Sequence, residues 1–203
     1  MRSAVLAGGA ASRFGGQPKG LEKVGGVRML DRVVQAIRAA TGDQPLLVTN
    51  APDAQDWLPG LAVTADVVPD CGSLGGIYTA LTAAEGPVLV VAWDMPFVTA
   101  ALLGALVAGA GDYDVFLPES QGPLQVEPLC GIYGPACTEP VRASLEQKDF
   151  RTTAFHKAVK PGTLSLDQVG QFGDPDVLFF NINEPDDLKR AEELWRGSTG
   201  KSQ

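Results

Sequence analysis

Histidine is almost missing from this chain of 203 residues, with His156 its single imidazole. Cysteine is scarce too: Cys71, Cys130 and Cys137 form no Cys-x-x-Cys pair. A metal centre built on sulfur or imidazole therefore has too few ligands, and a Cys–His or Ser–His nucleophile has almost no base to draw on. An odd number of thiols suits a reducing compartment. Basic charge is also in deficit, since 16 Lys and Arg face 24 Asp and Glu for a net charge of −8. That balance argues against nucleic acid, whose partners carry basic stripes. No run reaches the roughly 18 apolar residues of a membrane span. The opening Met1-Arg2-Ser3-Ala4-Val5-Leu6 has one cation but no long apolar core or cleavage pattern. The expectation is a cytoplasmic protein with small-molecule partners, no nucleic acid and no membrane. An anionic small substrate stays open, because local amides and a few cations outweigh a diffuse acidic surface.

What is present is ordinary globular material, 45% apolar and 20% charged. One α/β domain over residues 1–196 is expected, followed by a polar, flexible tail at 197–203. Short apolar runs alternate with amphipathic stretches, the rhythm of a three-layer, doubly wound, mostly parallel sheet. Strands are expected at 3–6, 45–49, 62–65, 88–92, 113–117 and 177–180, nearly all apolar because helices cover both faces. Leu30, Val33, Val34 and Ile37 recur at helical spacing. Thr99 reads as the N-cap of a helix over 100–107, and Pro185 as the opening turn of a last helix carrying Leu188, Ala191 and Trp195. Residues 119–134 break the rhythm, and their Gly122-Pro123 turn suggests a small inserted β-ribbon over the acceptor side of a cleft. In such a sheet, ligands bind beyond the carboxyl ends of the strands.

The first strand runs into Leu6-Ala7-Gly8-Gly9, then Arg13, Gly15, Gly16, Pro18, Lys19 and Gly20. Glycines let the backbone approach a ligand, and successive free amides form a concavity for an anion. Arg13 and Lys19 add a bidentate fork and a compact point charge for a triphosphate. The competing reading is a strand-to-helix loop without a ligand and a solvated Lys19. The spacing is neither the G-x-G-x-x-G of dinucleotide folds nor a Walker A loop. Gly197-Ser198-Thr199-Gly200-Lys201-Ser202 mimics half of the latter, but no strand precedes it and no helix follows.

Other strand ends carry oxygen ligands. Trp93-Asp94-Met95-Pro96 follows the fourth strand, where a carboxylate suits Mg²⁺, an ion that favours oxygen and reaches proteins through one or two carboxylates. The alternative role for Asp94 is a helix cap, for which Thr99 competes better. Asn50 after the second strand can meet a base edge or ribose or simply form a turn, and Thr49 is its rival in register. Asp66 closes the third strand. Gly72-Ser73-Leu74-Gly75-Gly76 opens a helix over 77–84, either to receive an anion or to let helix and sheet pack closely. Cys71 has no histidine beside it and reads as incidental. Asn183 reads as the cap of the last helix, and His156 as structural or exposed.

The opening loop resembles the L-A-G-G-x-x-x-R-(M)-G-x-x-K signature of nucleoside-triphosphate transferases, with Phe14 at the methionine position. Within that group its LAGG form is similar to the molybdenum cofactor guanylyltransferases. The likeness extends to Asp94 with Pro96, to Cys71-Gly72-Ser73-Leu74-Gly75-Gly76, where Ser73 replaces a proline, and to Asn181-Ile182-Asn183-Glu184-Pro185. It implies a Rossmann-like fold and transfer of GMP from GTP to the phosphate of molybdenum-bound molybdopterin, with release of pyrophosphate. It also implies Arg13, Lys19 and Asp94 as catalytic residues. Leu6, Ala7, Gly8, Gly9, Lys19, Asn50, Asp66 and Asp94 would hold the nucleotide, with Mg²⁺ on Asp94 and transient contact with other molybdenum cofactor proteins. A cytidylyltransferase or other nucleotidyltransferase with a different acceptor is the alternative in the same class. A catalytically silent nucleotide-binding protein is the alternative outside it.

Overall fold

The computed structural model of the protein describes residues 1–8 and 18–199. Gly9, Arg13, Gly15, Gly16 and the tail beyond Thr199 lie outside the described residues. Seven strands form the main sheet in the order β5-β4-β1-β6-β8-β7-β9. They are β1 (Arg2–Leu6), β4 (Leu46–Val48), β5 (Val63–Thr64), β6 (Val88–Ala92), β7 (Val115–Pro118), β8 (Cys130–Tyr133) and β9 (Pro161–Leu164). β2 (Lys23–Val24) and β3 (Val27–Arg28) form a separate antiparallel hairpin.

Helices cover both faces of the sheet, which is why β6 is buried along its whole length. On one side α1 (Met29–Thr41) and α3 (Ala100–Gly109) bring Leu30, Val33, Ile37, Leu102 and Leu106 against Val5, Leu89 and Val91. On the other, α2 (Gly72–Ala83) and α4 (Thr138–Glu146) bring Leu74, Ile77, Val141 and Leu145 against Leu6, Val88 and Val90. Odd and even positions of β6 thus serve opposite cores, as the pleat requires. Thr99 caps α3, its Oγ1 accepting the Leu102 amide at 3.2 Å. The expected doubly wound, mostly parallel architecture is the one observed.

The chain moves outward from β1 to β4 and β5, then returns through α2 to β6 on the other flank of β1. The crevice beyond β1 and β6 is thus the point where the winding reverses, the place where open α/β sheets take ligands. Its two lips are tied together by the Trp93 amide, which donates to the Leu6 carbonyl at 3.1 Å.

Three departures from the sequence expectations matter. Residues 177–180 do not form a strand. Asp174 and Pro175 open the short helix α6 (Pro175–Leu178), the Asp174 carboxylate accepting the Asp176 amide at 3.0 Å. The apolar run Leu178-Phe179 looked like a strand because it is buried, yet an N-cap followed by proline is a helix start. The inserted segment is more than a surface ribbon. After a bridge between Glu119 and Val126, its returning arm β8 lies inside the main sheet, antiparallel to both β6 and β7. β9, hidden in sequence by Pro161-Gly162, pairs with β7 at the sheet edge, where a missing amide is tolerated.

The last helix, α7 (Pro185–Thr199), packs against the β2–β3 hairpin rather than the main sheet. Gly25 has φ +59° and lies so close to Trp195 that a Cβ there would meet its Nε1 at 2.1 Å. The Gly25 amide donates to Glu192 at 2.8 Å, so α7 pins the hairpin that follows the lysine segment.

Candidate active site

Lys19 begins a short 3-10 turn, Lys19–Leu21, whose next residue is pressed against the ring of Trp93. A Cβ on Gly20 would fall 2.2 Å from Trp93 Cε3, so only glycine permits this approach. Trp93 in turn stacks on Trp57 with ring centroids 5.4 Å apart. The stack fixes the β6 lip and seats the lysine above it. The Lys19 ammonium reaches the Asp94 Oδ2 and donates to Asn183 Oδ1 at 3.0 Å.

Asp94 is 9% exposed, and its Oδ1 takes no hydrogen bond among the described residues. Its carbonyl accepts the Ile182 amide at 3.1 Å, which brings the 181–183 segment to the cleft. Asp94 does not cap a helix, because α3 begins at Ala100 with Thr99 as its cap. Nor does Asn183 cap α7, which starts at Pro185. Asp187 takes the capping role, its carboxylate accepting the amides of Asn183 and Glu184 at 2.9 Å each. The Asn183 side chain is thereby released to face Lys19.

Across the cleft, Asn50 and Asp66 form a reciprocal pair. Asn50 Nδ2 donates to Asp66 Oδ2 and the Asp66 amide donates to Asn50 Oδ1, both at 2.8 Å. Thr49 is 5% exposed and its hydroxyl accepts the Ala51 amide, while Asn50 is exposed; both border the same cavity. Gly76 serves close packing of α2 on β1, as a Cβ there would lie 3.2 Å from Leu6. Gly72 and Ser73, at the start of α2, line the cleft together with Gly76. Leu6, Ala7, Gly8, Lys19, Asn50, Asp66, Asp94, Asn181 and Asn183 all border this cavity of about 700 Å³. A larger groove of about 1240 Å³ lies between α7, Phe97 and Phe172 and, among the described residues, is lined by none of the expected catalytic or nucleotide-holding residues.

Glu127 precedes β8 and is half-buried, its Oε1 accepting the Leu129 amide at 3.0 Å. Burial, and then the negative charge of Asp94, push its pKa up to about 7 against the opposing Leu129 hydrogen bond. The sequence placed Glu127 only in the acceptor half, and its relation to Asp94 was invisible there. His156 sits outside the cleft, edge-on to Phe155 at 4.9 Å, and burial lowers its pKa. Cys71 is buried with its thiol on the Pro69 carbonyl.

Among the described residues, the charges bordering the cavity are Lys19 against Asp66, Asp70 and Asp94. A triphosphate entering here needs further positive charge. No group of three or more His, Cys, Asp or Glu gathers to hold a metal among the described residues. A cation at Asp94 would complete its shell with phosphate oxygens and water, as Mg²⁺ commonly does. The orphaned, buried Oδ1 of Asp94 fits that use.

A doubly wound sheet whose switch-point crevice holds this lysine–aspartate pair has the architecture of the nucleoside-triphosphate transferases. Residues 3–159 match the MobA-like NTP transferase domain. The molybdenum cofactor guanylyltransferase of Desulfosudis oleivorans is 31% identical, covering 93% of this chain and 92% of its own length. That of Nitrobacter hamburgensis is 33% identical, covering 94% and 92%. The crystal structure of molybdopterin-guanine dinucleotide biosynthesis protein A from Archaeoglobus fulgidus superposes with a TM-score of 0.80 at 26% identity, covering 97% of this chain and all of that one. A 4-diphosphocytidyl-2C-methyl-D-erythritol synthase from Anaerococcus prevotii shares the fold at TM-score 0.70 and 13% identity, covering 96% and 95%. The chain belongs to the molybdenum cofactor guanylyltransferase family and is a nucleotidyltransferase. Among the described residues no helix is long and apolar enough to cross a membrane.

Proposed function

We propose that this nucleotidyltransferase moves GMP from GTP onto the phosphate of a molybdopterin-type acceptor, with Mg²⁺ held at Asp94. The observation that supports the reading is the convergence of Lys19 and Asp94 in one crevice bordered by Leu6, Ala7 and Gly8. The amides of the loop from Gly8 onward, with Arg13 and Lys19, hold the β- and γ-phosphates. Bound at Asp94, the metal supplies charge neutralisation at the α-phosphate. An acceptor phosphate oxygen forms the new bond to the α-phosphorus. The bond to the bridging oxygen breaks, and its electron pair leaves with pyrophosphate. The nucleophile is already an anion, so no side chain has to take a proton. The catalytic work is positioning and electrostatics.

Guanine is favoured by the Asn50–Asp66 pair. Asp66 spends Oδ2 on Asn50 and has its other oxygen available. A carboxylate accepts hydrogen bonds, and the guanine edge offers two donors, N1–H and the 2-amino group. Cytosine offers one, beside two acceptors that a carboxylate repels. Pyrophosphate release is measured with GTP, CTP, ATP and UTP, with Mg²⁺ or EDTA and with the pterin phosphate acceptor. The expected result is release with GTP and Mg²⁺ alone. Equal turnover of CTP would favour the cytidylyl alternative, and GTP binding without turnover or magnesium dependence would favour a silent binder.

A further inference from the structure

We propose that Asp187 is a positioning residue for Lys19, aiming the Asn183 side chain so that its neutral amide oxygen holds the ammonium in the crevice. This rests on the reading that Lys19 meets the phosphates of the nucleotide. Three consecutive amides fix the backbone around Asn183. That of Ile182 donates to the Asp94 carbonyl at 3.1 Å. Those of Asn183 and Glu184 both donate to a single oxygen of Asp187, Oδ2, at 2.9 Å each. With both flanks tied, the direction of the Asn183 side chain is set, and its Oδ1 accepts from the Lys19 ammonium at 3.0 Å. Among the described residues, Asn183 lines the cavity and Asp187 does not, so Asp187 acts through its neighbour.

The same two segments are joined again behind the site. The lysine turn runs into the β2–β3 hairpin, and the Asn183 segment runs into α7. Glu192 of α7 accepts the Gly25 amide of the hairpin, and Trp195 lies against the same glycine. Val24, Met29, Ile182 and Ala191 form one small core between them. Lys19 and Asn183 are thus the tips of two arms with a common root. A carboxylate at the third helical position that reaches back to the amides before the helix is a common capping device. What sets Asp187 apart is the residue it caps. A lysine ammonium has three donors. Asp94 takes one and Asn183 another, which leaves the third for a phosphate oxygen. Asn183 brings no charge, so it holds the lysine without neutralising the cation that a phosphate needs.

A double-mutant cycle on the whole protein tests this. Pyrophosphate release from GTP with the pterin phosphate acceptor is read in parallel with thermal unfolding. Asn183→Ala is expected to lower kcat/KM roughly three- to tenfold, the range of one hydrogen bond, and Asp187→Ala to lower it by no more than that. With residue 183 already alanine, Asp187→Ala should cost no further kcat/KM, while still lowering the melting temperature as it does in wild type. Asp187→Asn keeps an oxygen that both amides can reach, and should hold kcat/KM within about twofold of wild type. Unchanged kcat/KM in Asp187→Ala, equal losses from it in both backgrounds, or an Asp187→Asn enzyme as impaired as Asp187→Ala would overturn the positioning role. Wild-type turnover in Lys19→Ala would instead overturn the reading of the lysine on which the inference rests. Should Asp187→Ala fail to fold by circular dichroism, Asp187→Glu carries the same cycle, because its longer arm displaces the two amides. A loss of kcat/KM seen only while Asn183 is present supports the role, and an equal loss without it overturns it.

Discussion

Lys19 and Asp94 lie 75 residues apart in the chain and meet as an ion pair at the crevice between β1 and β6. Both side chains are largely buried, at 13% and 12% exposure. A cation meeting charge that develops in a transition state is worth about 3 kcal/mol. Lys19→Ala should therefore lower kcat/KM by about 10²–10³, in a protein that still folds cooperatively. Steady-state kinetics and urea unfolding check the two halves separately.

Removing one partner of this pair leaves the other as an uncompensated charge in a buried place. Asp94→Asn and Lys19→Met should each destabilise the fold, and the double variant should lose less than the sum of the two. A double-mutant cycle by chemical denaturation measures this coupling. Strict additivity would mean that the pair does not form in solution.

Gly20 should be intolerant of any side chain. The Cβ of Gly20→Ala would sit 2.2 Å from the Trp93 ring, so the turn or the Trp57–Trp93 stack has to move. Overpacking of this kind costs about 1–3 kcal/mol, and the displaced turn carries Lys19 away from Asp94. The expected outcome is a lower melting temperature together with a raised KM for the nucleotide, both partly restored by Trp93→Leu in the same chain.

Asp66 should set the base. Hydrogen bonds to a charged group contribute about 1.5–3 kcal/mol, so Asp66→Ala is expected to weaken GTP binding by at least about tenfold. ATP, whose edge lacks the 2-amino donor, should be little affected. Asn50→Ala should act in the same direction and more weakly, because Asn50 orients Asp66 through the paired hydrogen bonds. Calorimetric titration with both nucleotides is the measurement.

Glu127 should leave a mark on stability against pH. Its pKa is raised to about 7 from an ordinary 4.5, so the folded protein keeps a proton that the unfolded chain releases. Stability from this group is fully present below pH 4.5 and falls as pH rises to about 7. At 1.36 kcal/mol per unit the loss is no more than about 3 kcal/mol. Glu127→Gln cannot ionise, so the variant should gain on wild type between pH 5 and 7.5 in urea unfolding. A constant difference across that range would contradict the shift.

Lys19 and Asp94 were legible as residues of one crevice because their chemistry is local. Each is a rare residue type at the mouth of a strand that an apolar run announces. Residues 177–180 misled because burial was read as a strand, while Asp174-Pro175 held the helix-start signal a few positions earlier. Asn183 misled in another way. Capping was the sound local inference for it, yet Asp187 fills that role and leaves Asn183 to Lys19. The Thr49–Asn50 ambiguity was one of register, and the fold adds that Thr49 is the more buried of the two neighbours at the cavity.

From the order of residues alone came the winding of the sheet, the loop expected to receive an anion and the two charges expected to meet a nucleotide. Periodicity and backbone preference act over a few neighbours, so a single chain displays them. The antiparallel entry of β8 and the Trp93 ring under Gly20 came only from the folded molecule. Those contacts join segments far apart in the chain through strand register and side-chain volume, and no local pattern encodes which strand will lie beside which.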